Sequence, residues 1–157
     1  MKFSDYILID AINPEIKATD IQGVIREIVQ PLLDAGGIEK EAHEEIMKRF
    51  IRREELGSTT MGRGIATPET KHPNVKRTIG TIAVSAAGID FGSIDEEKTH
   101  IFCPVISPPD RPGDHLRILE HLTIRLRDDT FRESLKQATT REEIRALLEE
   151  ADSKEKQ

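Results

Sequence analysis

The segment from Gly64 to Val75 reads GIATPETKHPNV and sets Glu69 directly behind Ala66-Thr67-Pro68, three residues ahead of His72. A carboxylate and an imidazole this close, held between prolines, are residue types that exchange protons or accept a transferred group. His115 is the second candidate. It follows the breaker cluster SPPDRPGD and falls in the first turn of the helix that this cluster starts, where side chains often face a ligand. The same position also suits a half-buried histidine bonded to a loop carbonyl, the commoner case for a polar group beside a loop. His115 and His121 are six apart, which puts them on different faces of one helix, and no metal-ligand spacing stands out, so no metal site is expected. MGRGIA lacks both the spacing and the following lysine of a phosphate-binding P-loop, and no bound cofactor is implied. Cys103 is the only cysteine and stands among Ile101, Phe102, Pro104 and Val105, the setting of a small core residue rather than a nucleophile.

The elements that must position these residues are legible from periodicity. Ile21, Val24, Ile25, Ile28, Val29, Leu32 and Leu33 recur at helical spacing from Asp20 to Ala35, with Gly36-Gly37 as the stop. Pro31 inside that run predicts a kink or an early end. A second helix is expected over Glu39 to Arg53, with Ala42, Ile46, Met47, Phe50 and Ile51 on its apolar face. The pattern then turns extended. Thr78 to Ala86 and Thr99 to Ser107 read as strands rich in β-branched residues, and Pro104 favours an edge position or a bulge in the second. Asp114 is the expected cap of a helix whose face runs Leu116, Leu119, Leu122, Leu126. Two shorter helices follow, the last opened by a capping box of Thr140 and Glu143. Helices, then strands, then helices predict an α/β fold, a single-domain sandwich with a small mixed β-sheet flanked by helices. One domain over residues 1–150 and a frayed tail over 151–157 are expected.

Composition narrows the function. A net charge of −6 and 4% aromatic residues leave no clustered cationic surface and little to stack on bases, so a general nucleic-acid binder is excluded. No apolar run approaches the roughly 20 residues of a membrane span, and MKFSDYILID lacks the plan of a signal peptide. Neither membrane insertion nor export is expected, and a cytoplasmic location follows.

The stretch from Arg52 to Gly80 carries Arg53-Glu54, Leu56-Gly57-Ser58-Thr59 and Gly62-x-Gly64-Ile65-Ala66-x-Pro68. With Asp90-Phe91 and the histidine at the later helix start, this pattern resembles the signature of the type-2 EIIA domains of the bacterial phosphoenolpyruvate:sugar phosphotransferase system, the mannitol, fructose and nitrogen-regulatory group. The similarity runs from Ile7 to Leu148. It implies the mannitol-EIIA-like fold, an HPr-like phosphocarrier protein or a regulated target protein as partner, and an EIIB domain as a further one. It also implies that His115 neighbours the phosphoryl acceptor and orients it, that Arg53 acts there through its charge, and that Ser58, Thr59, Gly64, Thr67 and His72 belong to the phosphate pocket. The departure is at the acceptor itself: where the family has the histidine that takes the phosphoryl group from HPr, this chain has Glu69.

A neutral imidazole is nucleophilic near pH 7, whereas a carboxylate repels an incoming phosphoryl group. Two unit charges 4 Å apart interact by about 4 kcal/mol at an effective dielectric of 20, against about 1.4 kcal/mol for a tenfold rate change. Three readings stand at this point. The chain is a regulatory or phosphomimetic EIIA form that does not itself carry phosphate, an active carrier that accepts through His72 or His115, or a phosphate-independent protein-binding module.

Overall fold

The computed structural model describes residues 1–155. Short 3-10 turns at Phe3–Asp5 and Ile9–Ala11 lead into α1, Ile21–Asp34, whose Val24, Ile25, Ile28, Val29 and Leu32 are buried. The early end expected at Pro31 does not occur. The helix runs on to Asp34, and closure comes at Gly36, whose φ of +81° suits a residue without a Cβ. There the Gly36 N–H donates to Leu33 O and the Gly37 N–H to Leu32 O. After a 3-10 turn at Lys40–Ala42, α2 spans His43–Leu56 and buries Ile46, Met47 and Phe50.

The extended middle of the chain builds two small sheets rather than one. Strands β1, Thr60–Gly62, and β2, Ile65–Ala66, form a tight hairpin. Strands β5, Ala83–Ile89, and β6, Thr99–Phe102, complete a sheet of order β1-β2-β6-β5. Strands β3, Glu69–Lys71, β4, Ile79–Gly80, and β7, Val105–Ser107, form the other sheet, of order β3-β7-β4. Both are mixed: β2 lies parallel to β6 and β3 parallel to β7, while β4 runs antiparallel to β7 and β5 antiparallel to β6.

The two expected strands are therefore each divided, and Pro104 is the reason for one division. It has no N–H to give the ladder, so β6 stops before it and β7 resumes after it in the other sheet. Pro68 stands alongside, between β2 and β3. The joint is tied by Cys103 N–H to Ala66 O, Val105 N–H to Pro68 O and Thr81 N–H to Pro104 O. Gly80 is required there, because a Cβ at that position would stand 2.8 Å from Pro104 O.

Helix α3, Pro112–Leu126, starts with its proline in the first turn, where no N–H is needed. Asp114 is thus inside the helix and not its cap, and its carboxylate pairs with Arg111 and Arg117. The buried face is His115, Ile118, His121, Leu122 and Leu126, and Leu116, expected in the core, is exposed. Helix α4, Asp129–Gln137, is capped by Asp128, and α5, Arg141–Ser153, by Thr140, whose hydroxyl accepts from Glu143 N–H. Glu143 returns its carboxylate to Thr139 rather than to the cap residue.

Of the tail expected over 151–157, residues 156 and 157 lie outside the described residues. The last helix continues to Ser153, and Asp152 accepts from Phe3 N–H at 2.7 Å and Ser4 N–H at 3.0 Å. One apolar cluster packs α1 and α2 on the sheets, and a second packs the N-terminal turns and α3 to α5 on them. The result is a mixed α/β fold in which small sheets lie between helices, and no described helix is long and apolar enough to cross a membrane.

Candidate functional site

Glu69 is the first residue of β3, directly after Pro68, and pairs in register with Val105. The parallel pairing puts Ser107, the last residue of β7, opposite Lys71, and the breaker cluster after Ser107 turns the chain into α3 with His115 in its first turn. From the other side, the last turn of α2 brings Arg53 over the same strand. Three elements distant in sequence thus converge on one carboxylate. Arg53 Nε donates to Glu69 Oε1 at 2.7 Å, and His115 Nε2 lies 2.5 Å from Glu69 Oε2. Arg53 Nη1 also donates to Gly57 O at 2.7 Å, which fixes the guanidinium against the end of its own helix.

Each Glu69 oxygen therefore receives a short, charge-assisted or imidazole hydrogen bond, the strongest kind available to a carboxylate. The carboxyl is pulled down to about 2, first by the hydrogen bond with His115 and then by that with Arg53, against partial burial that pushes it up. Glu69 is ionised across the physiological range. The Glu69 side chain is 17% exposed and that of His115 is 4% exposed, so the carboxylate sits at the mouth of the site and the imidazole behind it.

His115 is held from behind as well. Its Nδ1 lies 2.5 Å from Ser107 Oγ, which accepts from Thr78 Oγ1 at 2.9 Å. Ser107, His115 and Glu69 thus follow the order of a hydrolase triad, but Ser107 is fully buried and no substrate carbonyl can approach its oxygen. Ser107 and Thr78 were not singled out in the sequence. The one signal for them was a hydroxyl at each of two apolar strand ends.

Of the expected site residues, Glu69, His115 and Arg53 come together. The other five make no hydrogen bond to the Glu69 carboxylate among the described residues. Thr59 is bound by Glu54, which takes its N–H at 2.7 Å and its hydroxyl at 2.6 Å. Ser58 pairs with Thr60, and buried Thr67 turns its hydroxyl to Thr59 O. Gly64, at φ +79°, closes the β1-β2 hairpin and accepts His100 N–H and Ile101 N–H on its carbonyl. His72 is buried; its Nδ1 accepts Asn74 N–H at 3.0 Å, and its Nε2 lies 3.2 Å from Glu45 Oε1 without hydrogen-bond alignment. With one nitrogen occupied and the other shut against α2, His72 is poorly placed as a nucleophile, and both nitrogens of His115 are engaged. Among the described residues there is no cluster of three or more His, Cys, Asp or Glu able to hold a metal ion. The buried Cys103 thiol is pushed up to about 12 by desolvation, which makes it inert.

Over residues 5–151 the chain matches the family described as phosphoenolpyruvate-dependent sugar phosphotransferase system, EIIA 2. It is 26% identical over 148 residues to a nitrogen regulatory protein of Bradyrhizobium diazoefficiens, covering 94% of this chain and 95% of that one. It is 33% identical over 140 residues to the multiphosphoryl transfer protein of Escherichia coli O157:H7, where it covers 87% of this chain but spans only 35% of that longer protein. The fold is similar to the crystal structure of nitrogen regulatory protein IIA-Ntr from Neisseria meningitidis, with a TM-score of 0.80 and 25% identity over 92% of this chain and 97% of that one.

Proposed function

The chain belongs to the EIIA type-2 family of the phosphoenolpyruvate-dependent sugar phosphotransferase system, and from that premise we propose that it is a regulatory member whose acceptor position is permanently occupied by a carboxylate and which carries no phosphate of its own. The observation that carries this reading is the clamp on Glu69: one guanidinium and one imidazole on its two oxygens, at 2.7 and 2.5 Å. Donors arranged this way suit a phosphoryl group as well as a carboxylate. Here a side chain fills them. Glu69 supplies one negative charge where a phosphorylated histidine would present about two, so the imitation of the phosphorylated state is partial. Attack on a phosphoryl donor is disfavoured twice, by charge repulsion and by the engagement of both oxygens.

In this reading the surface around Glu69, Arg53 and His115 meets an HPr-like phosphocarrier protein, an EIIB domain or a regulated target protein, and reports a fixed charge to it. The similarity to nitrogen regulatory proteins in sequence and in fold supports the regulatory reading. The test is binding of an HPr-type phosphocarrier to the chain and to Glu69→Gln and Glu69→His, measured by titration calorimetry at two salt concentrations. A charge-reading surface predicts that the neutral variants differ from the parent by about tenfold, ~1.4 kcal/mol, and that the difference shrinks with salt. Equal affinity of all three forms would instead assign a charge-independent binding module.

A further inference from the structure

Behind the Glu69 clamp lies a line of buried hydroxyls whose hydrogen bonds have only one consistent direction. Thr78 is 7% exposed, Ser107 fully buried and His115 3% exposed, so the central hydroxyl of Ser107 has no water to turn to. Thr78 Oγ1 donates to Ser107 Oγ. Ser107 must then place its own hydrogen on its remaining partner, His115 Nδ1 at 2.5 Å. An imidazole that accepts on Nδ1 carries its hydrogen on Nε2, and that atom faces Glu69 Oε2 at 2.5 Å.

We propose that Thr78 and Ser107 are positioning residues that fix His115 as the Nε2–H tautomer, so that it presents a donor to whatever stands at position 69. The opposite arrangement, Nδ1–H donated to Ser107, leaves the Ser107 hydrogen buried without an acceptor. The cost of such an unmade bond corresponds to a tautomer ratio of about ten to one or more. The device resembles the way a second partner sets the ring of a metal-bound or catalytic histidine, with neutral hydroxyls in place of a carboxylate. Its direction matters for the site: Nε2–H is aimed at one Glu69 oxygen while Arg53 Nε donates to the other.

The tautomer follows from the hydrogen bonds alone, whereas its consequence for phosphoryl chemistry rests on the proposed reading of Glu69. The experiment therefore avoids phosphotransfer. In the parent chain Glu69 also demands Nε2–H, so the informative background is Glu69→Gln, whose amide can donate or accept. In that background, ¹⁵N chemical shifts and two-bond ¹⁵N–¹H couplings of His115 report which ring nitrogen bears the proton. The expected result is unprotonated Nδ1 at pH 8 in Glu69→Gln, a shift to a mixture of tautomers in Glu69→Gln/Ser107→Ala, and recovery in Glu69→Gln/Ser107→Thr, which restores the hydroxyl. Thr78→Val, equal in shape to threonine, is the second variant and should move the signals the same way by a smaller amount. Mixed tautomers in Glu69→Gln with both hydroxyls intact, or signals that stay fixed when Ser107→Ala and Thr78→Val are introduced, would overturn the proposal. A fold-wide loss of packing cannot imitate the expected result, because the readout is the ring itself and the Thr variant reverses it.

Discussion

Replacing Glu69 by glutamine keeps the size of the side chain and removes its charge, so it isolates what the clamp contributes to stability. In the folded chain the carboxyl is lowered from 4.5 to about 2. At 1.36 kcal/mol per unit this corresponds to roughly 3 kcal/mol. That is an upper figure, because the Arg53 side chain is 37% exposed and water screens its share; about 1 to 2 kcal/mol should remain. The sign follows from linkage. A carboxyl whose folded value lies below its unfolded value stabilises the fold fully above the unfolded value and loses that contribution as pH falls through the folded one. The window is therefore pH 4.5 down to about 2. Urea unfolding of the parent and Glu69→Gln at pH 7, 5, 4 and 3 should show the variant less stable by about 1 to 2 kcal/mol at pH 7, equivalent to roughly 2–8 °C in Tm, with the difference shrinking below pH 4.5. Other carboxylates titrate alike in both chains and cancel. A variant as stable as the parent at pH 7, or a difference that does not change with pH, would refute the claim that the donors on Glu69 hold its charge.

Three further outcomes are expected. Buried His121 is held down to about 4, first by desolvation and then by Arg125; because its folded value lies below its unfolded 6.5, the unfolded chain binds more protons in between and stability should fall as pH drops from 6.5 to about 4. His121→Phe should remove that slope in pH-dependent urea titrations, while costing about 1–3 kcal/mol at pH 7 by orphaning the Tyr6 hydroxyl that lies 2.8 Å from His121 Nδ1. Asp152→Ala deletes the acceptors of Phe3 N–H and Ser4 N–H and should cost about 1–2 kcal/mol, with faster amide exchange confined to the first residues. Gly80→Ala drives a methyl to 2.8 Å from Pro104 O and should destabilise the joint between the sheets by about 1–3 kcal/mol, read as a lower urea midpoint.

The helices were legible because each buries a stripe: Val24, Ile25, Ile28 and Leu32 in α1, or Ile46, Met47 and Phe50 in α2, announce themselves by spacing. The strands around the site were not, since β2 and β4 are two residues long and β3 is three, too short for any alternation to register. Pro104 was readable as an interruption, but that the chain changes sheets there depends on Pro68, which is remote in sequence and adjacent in space. Asp114 looked like a cap because acidic residues favour that position, yet Pro112 pre-sets the first turn two residues earlier. At the site, motif resemblance singled out Glu69, Arg53 and His115, whereas Ser107 and Thr78, 29 apart in sequence, meet only through the pairing of β4 with β7. Thr59 is a pocket residue by its motif; its N–H and hydroxyl are both bound by Glu54, a local bond that the motif does not reveal.

If Glu69 stands in the place of a phosphoryl acceptor, it alone withholds transfer. The most direct measurement is intact mass after incubation with phosphoenolpyruvate, enzyme I and an HPr-type carrier, for the parent chain and for Glu69→His. The parent should gain nothing, and Glu69→His about 80 Da, one phosphoryl group. Labelling of the parent chain would overturn this role of Glu69 and point to another acceptor, and an unlabelled, folded Glu69→His chain would show that the pocket built by Arg53 and His115 does not accept phosphate at all.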